Sequence, residues 1–181
     1  VSPKILVNAT ENIILSDNRE LHFEEDDRRL YGKLHAASCD LASASTYGTF
    51  ILKKGWRAKP WSRGSIYLQQ SAFVTAMITS YGRAFGNSHG WPKLPEVLFT
   101  AYDEEQRALH KAVIRLRNKV YAHSDAISYH VQPLRSDLHG DIERIPIFEF
   151  DLSQTRTLIE MCSIMVSTIH KMREDIKNKY P

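Results

Sequence analysis

The stretch from Leu116 to Asp125, LRNKVYAHSD, holds the side chains best suited to chemistry: Arg117, Asn118 and His123. An imidazole with an unperturbed pKa of about 6.5 exists in both protonation states near neutrality, so His123 can take a proton from a hydroxyl or return one to a leaving oxygen. Arg117 offers a planar fork of donors to phosphoryl oxygens as charge builds on them. Asn118 can orient either partner. The set fits cleavage of RNA without a metal or cofactor, because the 2′-hydroxyl of RNA supplies the nucleophile. The plainer alternative stays open: a histidine at a helix end can cap the last carbonyls, and an arginine one turn earlier can pair with a surface acid. Tyr121, with an unperturbed pKa of about 10, reads as an aromatic at the core edge rather than an acid.

Spacing limits how these groups can meet. Helical residues advance by about 100°, so Arg117 and His123, six positions apart, diverge by about 120° on an unbroken helix. Asn118 is similarly offset. Convergence requires a helix that loosens near Ala122, a substrate that wraps its end, or a second copy facing the first. Lys119 is the same-face neighbour of His123, and its charge lowers the proton affinity of the ring while Asp125 opposes that effect. Arg107, Lys111, Arg115 and Lys119 join Arg117 in a run from Arg107 through His123 that contains no acid. Those four cations are expected to hold an RNA backbone.

The elements that must position these groups are helices. Acids at Glu24 to Asp27 open the first, where negative side chains suit the free N–H groups. Leu30, Leu34, Ala37, Leu41 and Ala44 then recur at spacings of three and four, with Gly48 and Ile51 continuing the stripe unless Thr46, Tyr47 and Gly48 mark its frayed end. The segment 55–64, GWRAKPWSRG, reads as a linker whose Trp56 and Trp61 either stack bases among cations or fold onto the nearest core. A second helix is expected over 65–85, with Ile66, Phe73, Met77, Tyr81 and Phe85 near one face, and a loop over 87–99. Thr100 and Asp103 have capping-box spacing, so a third helix is expected over 101–122 with Leu109, Val113, Leu116 and Val120 buried.

After His123 the periodicity changes to alternation at Ile127, Tyr129 and Val131, followed by turn residues and a second apolar run at 145–150. This predicts a short β-hairpin-like insertion over 126–150, placed before the last helix. The last helix is capped by Asp151 or Ser153 and carries Leu158, Cys162, Met165, Ile169, Met172 and Ile176. The fold class is therefore all-α or mainly α: a four-helix up-down bundle forming a single domain over 1–181, with 1–25 an irregular N-terminal segment.

Composition excludes several classes. With 181 residues and a net charge of +3, the chain can bury one core and has only a mild overall pull toward polyanions. There is no run of 18 apolar residues for a membrane span, and the N-terminal stretch lacks the order of a signal peptide, so a cytoplasmic protein is expected. Cys39 and Cys162 read as buried free thiols. GxGxxG and GKS/T patterns are absent. His123, His130 and His139 lie in turn-rich chain with no Cys or short-spaced acid to complete a metal site.

Arg117, Asn118 and His123, with five residues between arginine and histidine and the trailing AHSD, resemble the higher eukaryotes and prokaryotes nucleotide-binding (HEPN) superfamily, particularly bacterial abortive-infection and toxin–antitoxin branches. The resemblance implies a motif near the end of a bundle helix, a homodimer that brings two motifs together, and a metal-independent endoribonuclease. Some members of that family bind RNA or nucleotides without cleaving them, or act as partners of a toxin or antitoxin. A structural homodimer with a merely solvated basic strip is the third possibility.

Overall fold

Small residues on the first helix decide how closely its neighbours approach. In the computed structural model, which describes residues 20–57, 65–87, 89–118, 130–132, 142–144 and 150–180, the chain is mainly helical. Helix α1 spans Glu25–Lys54, with Glu25, Asp26 and Asp27 in its first turn. Leu34, Ala37, Leu41, Ala44, Gly48 and Ile51 form its buried stripe, so the helix runs unbroken through Gly48. It stops at Gly55, whose φ of 60° lets its N–H reach the carbonyls of Ile51 and Leu52.

Helices α2 (Ser65–Phe85) and α4 (Leu152–Lys177) both pack on α1. Both run antiparallel to it. Tyr47 in the second half of α1 meets Phe73 in the first half of α2, while Lys33 in the first half of α1 meets Gly86 just past α2's end. At the other flank the Asp27 carboxylate accepts from Lys179 Nζ at 3.0 Å and from the Tyr180 hydroxyl at 2.8 Å, tying the first turn of α1 to the end of α4. Arg173 adds a guanidinium donor to the Tyr31 hydroxyl at 2.8 Å.

The core is built from the α1 stripe, Val74, Met77, Ile78 and Tyr81 of α2, and Leu158, Met161, Cys162, Met165 and Ile169 of α4. Ile66, expected on the inward face of α2, is 56% exposed, because the inward face begins only at Phe73 and Val74. Trp56 takes the plainer of its two readings: its ring meets Phe50 and Phe73 edge-on at 5.6 Å. Trp61 lies outside the described residues. Cys39 is exposed rather than buried, since it falls off the 34–37–41–44 stripe; Cys162 is buried.

The segment expected to be loop contains a 3-10 helix, Glu96–Ala101, packed on α4. Thr100 belongs to it and donates to the Val97 carbonyl at 2.7 Å, so it does not cap the next helix. Asp103 does: its carboxylate accepts from the Gln106 N–H at 2.8 Å while Gln106 Oε1 receives the Asp103 N–H at 3.2 Å. Helix α3 accordingly spans Glu104–Leu116, three residues later at its start than expected. Asp151 and Gln154 make the same reciprocal cap at the start of α4. Two short strands, β1 (His130–Gln132) and β2 (Ile142–Arg144), pair antiparallel with His130 opposite Arg144. Residues 145–149, the expected second apolar run, lie outside the described residues. No helix among the described residues is long and apolar enough to cross a membrane.

Candidate functional site

Arg117 follows directly on α3, where the backbone passes from α-helical to wider π-helical geometry at residues 117 and 118. Such a turn is a local loosening of the helix. The Arg117 stem lies against the bare backbone of Gly82 in α2: a Cβ at Gly82 would come 2.7 Å from Arg117 Cγ and 3.1 Å from Cδ. Glycine is thus required for the approach. Arg117 Nη1 donates to Asn118 Oδ1 at 2.9 Å, while Arg117 Nε is buried without a partner among the described residues. Asn118 is exposed and braces the guanidinium. His123 and Lys119 lie outside the described residues.

Arg107, Lys111 and Arg115 are exposed and follow one another at intervals of four along α3. They form a single strip. Arg115 and Arg117 are separated by about 160° around the helix axis, so the strip and the Arg117 guanidinium face different directions. None of the three lines the cleft that Arg117 enters.

That cleft has a volume of about 200 Å³ and lies between α1 and the end of α2, with Lys33, Asp40, Arg83, Asn87, Trp91 and Arg117 in its walls. Lys33 sits on α1 with only 5% of its surface exposed, and its Nζ donates to the Gly86 carbonyl at 3.0 Å. Burial pushes the ammonium pKa down, and the Asp40 carboxylate opposes that shift. Arg83 Nε donates to Asp40 Oδ1 at 3.1 Å. The chain leaving α2 is pinned back across α1 at two points. The Arg29 guanidinium donates to the Gly90 carbonyl at 2.9 Å, and the Trp91 ring covers Gly32, where a Cβ would come 2.5 Å from Trp91 Cζ3.

Among the described residues, three cations therefore share one cleft with a single carboxylate, and that carboxylate is engaged by Arg83. Such a cleft attracts anions. Of the residues singled out in the sequence only Arg117 lines it. Lys33, Arg83 and Trp91 were not visible as site residues, because they converge from α1, the end of α2 and the following turn through tertiary contacts alone. The nearest signal in the sequence is the SYGRAFGNSHGW segment, where glycines surround one arginine and one tryptophan.

A second polar cluster lies beside the site. His110 of α3 is enclosed by Phe85 at 4.7 Å, Phe99 at 5.0 Å, Tyr81 at 5.8 Å and Tyr102 at 6.2 Å between ring centroids. Its Nδ1 lies 3.0 Å from the Tyr81 hydroxyl, and Tyr102 donates onward to the Met161 carbonyl at 3.1 Å. Burial, with help from the Lys111 charge, pushes the His110 pKa down to about 4, and burial raises both tyrosines. The same cause pushes the Cys162 thiol up to about 12.

The unfolded chain takes a proton on His110 near pH 6.5 and the folded protein only near pH 4, so stability present at neutral pH is lost as pH falls through that window. The full shift corresponds to about 3 kcal/mol, and solvent at the ring edge reduces it to about 1–2 kcal/mol. Urea unfolding at pH 7 and pH 4.5 is expected to show this loss. The His110→Gln protein, which keeps a partner for Tyr81, should lose about 1 kcal/mol less between the two pH values. Equal pH slopes for the two proteins would show that His110 is not the group responsible.

Among the described residues no three His, Cys, Asp or Glu side chains lie close enough together to hold a metal ion. The side chains of His123, His130 and His139 lie outside the described residues. Comparison with family models, with curated proteins and with solved structures gives no match to this chain.

Proposed function

We propose that this protein is a metal-independent endoribonuclease of the HEPN type, with Arg117 binding the phosphate, His123 moving the proton and Asn118 bracing Arg117. The supporting observation is the seat of Arg117 at a cleft in which, among the described residues, cations outnumber carboxylates and the Arg117 Nε is unpaired. In the reaction the 2′-oxygen attacks phosphorus as its proton leaves, the bond to the 5′-oxygen breaks, and that oxygen takes up a proton. The products are a 2′,3′-cyclic phosphate and a 5′-hydroxyl. His123 serves as base for the first transfer or acid for the second. Arg117 stabilises the charge on the phosphoryl oxygens between them. The strip of Arg107, Lys111 and Arg115 holds flanking phosphates on another face, as a strand crossing the helix end would require, and Lys119 is assigned the same role.

A homodimer resolves the divergence of Arg117 and His123 by letting each site draw on two helix ends. The test is cleavage of mixed RNA in excess chelator. Arg117→Ala and His123→Ala are each expected to lower the rate by at least about 100-fold. Mixed after unfolding and refolding together, the two inactive proteins should recover about a quarter of wild-type activity if the site is shared between subunits, because half the dimers then carry one intact site. Cleavage that survives either substitution would overturn the assignment of that residue.

A second reading, RNA or nucleotide binding without cleavage, is favoured by the composition of the cleft. Its described walls supply cations, an indole and one carboxylate, Asp40, which is already held by Arg83. Salt-sensitive binding without products over long incubation would select it.

A further inference from the structure

We propose that the cleft between α1 and the end of α2 is a receptor for the terminal phosphomonoester of an RNA chain, with Lys33 as its specificity-determining residue. The inference rests on the reading of the Arg117 end of α3 as the place where RNA is handled, but it concerns a different act: recognition of a chain end.

Charge selects the ligand. Among the described residues the walls carry Lys33, Arg83 and Arg117 against the one carboxylate of Asp40, which is bound by Arg83 and also acts on Lys33, so two units of positive charge are in excess. A terminal phosphate carries about −1.5 to −2 at neutral pH, whereas a phosphate within a chain carries only about −1. The terminal group therefore balances the cleft and the internal one does not.

Donor geometry agrees. Lys33 Nζ has three donors and gives one to the Gly86 carbonyl, so two remain for a ligand. The buried Nε of Arg117 has no acceptor among the described residues, and a phosphate oxygen would supply one.

Size separates the two kinds of phosphate again. The volume of about 200 Å³ is below the roughly 300–1,000 Å³ of pockets that enclose whole small molecules. A phosphate inside a chain carries a nucleoside on each side, and both would have to follow it inward to reach Lys33. A terminal phosphate carries one, which stays outside. Trp91 stands in the wall with 43% of its surface exposed, as a platform for the end base.

Lys33 also has a plain structural part to play, since it caps a carbonyl at the end of α2. The experiment separates the two roles. Fluorescence anisotropy would compare 2′-O-methyl RNA octamers bearing a 5′-phosphate, a 3′-phosphate or hydroxyls at both ends; the 2′-O-methyl groups remove the internal nucleophile, so binding is read without cleavage. One of the phosphate-ended octamers is expected to bind at least tenfold tighter than the hydroxyl-ended one, and which one identifies the polarity of the end recognised. In Lys33→Met and Lys33→Gln the ratio should fall below twofold, and in Trp91→Ala all affinities should drop by about fivefold or more. A purely structural lysine would lower the melting temperature and leave the ratio unchanged. Equal affinity of all three octamers for the wild-type protein, or a ratio that survives both Lys33 substitutions in folded protein, overturns the proposal. The ribonuclease reading fails separately: end preference without cleavage of unmodified RNA leaves the receptor and removes the nuclease, and cleavage without end preference does the reverse.

Discussion

Gly48→Val is expected to destabilise the protein by about 3 kcal/mol, lowering its melting temperature by roughly 6–12 °C. Gly48 lies at the meeting of three helices, where a Cβ would stand 2.9 Å from Ile159 Cγ1 on α4 and 3.1 Å from Met77 Sδ on α2. Alanine is the informative control. It gains about 1 kcal/mol in helix propensity over glycine and loses about 1–3 kcal/mol to overpacking, so Gly48→Ala should sit within about 1 kcal/mol of wild type or somewhat below it. Valine adds two methyl groups in the same tight space and keeps less of the propensity gain. Ile159→Ala removes the atoms nearest the clash, so in that background Gly48→Ala should become neutral or stabilising. Urea unfolding of the four proteins measures the cycle. A Gly48→Val protein within about 0.5 kcal/mol of wild type would mean that α1 and α4 do not approach this closely.

The parts of the fold governed by local periodicity are legible in the sequence. The α1 stripe from Leu34 to Ile51 and the α4 stripe from Leu158 to Ile176 are spelled out by apolar spacing, and both are buried apart from the half-buried Met172. Local competition among caps was harder to read. Thr100 and Asp103 stand three apart, like a cap and its partner, but Thr100 is consumed by the 3-10 helix and Asp103 takes Gln106 instead. The acceptor and its acid-like partner were both present in the sequence; what was missing was the short helix that claims the first of them.

The site divides along the same line. Arg117 stands out from residue type and spacing, and it does enter a cationic cleft. Lys33 could not be picked out, because a lysine on an otherwise apolar face looks like a flaw in the stripe until Gly86, 53 positions away, is seen to accept from it. Arg83 and Trp91 were hidden for the same reason. The divergence of about 120° between Arg117 and His123 assumes a regular helix, and the helix ceases to be regular at Arg117 itself. Loosening at that point, several residues before Ala122, was not signalled by any glycine or proline between Arg117 and His123. Its setting is tertiary: the stem of Arg117 is held against Gly82.

That contact makes the site depend on the fold in a way that can be measured. In Gly82→Val the Arg117 stem has to leave its present position, since Cβ, Cγ and Cδ all lie within 3.2 Å of where a side chain would begin. A displacement of about 1 Å at a catalytic group can cost about 100-fold in rate, and for the proposed ribonuclease a loss of that size is expected in RNA cleavage by Gly82→Val. Stability supplies a readout that does not depend on catalysis. Gly82→Ala alone is expected to destabilise by about 1 kcal/mol, because the clash with Arg117 outweighs the helix propensity of alanine. With Arg117 already cut back to alanine the obstruction is gone, and Gly82→Ala should then stabilise by up to about 1 kcal/mol. The resulting coupling of about 1–2 kcal/mol is large for a pair on the protein surface and typical of side chains in direct contact. Equal effects of Gly82→Ala in the two backgrounds would place Arg117 elsewhere and remove the basis for the cleft. Opposite signs would show that a glycine in the last turn of α2 is kept, against its cost to the helix, so that the arginine just past α3 can lie across it.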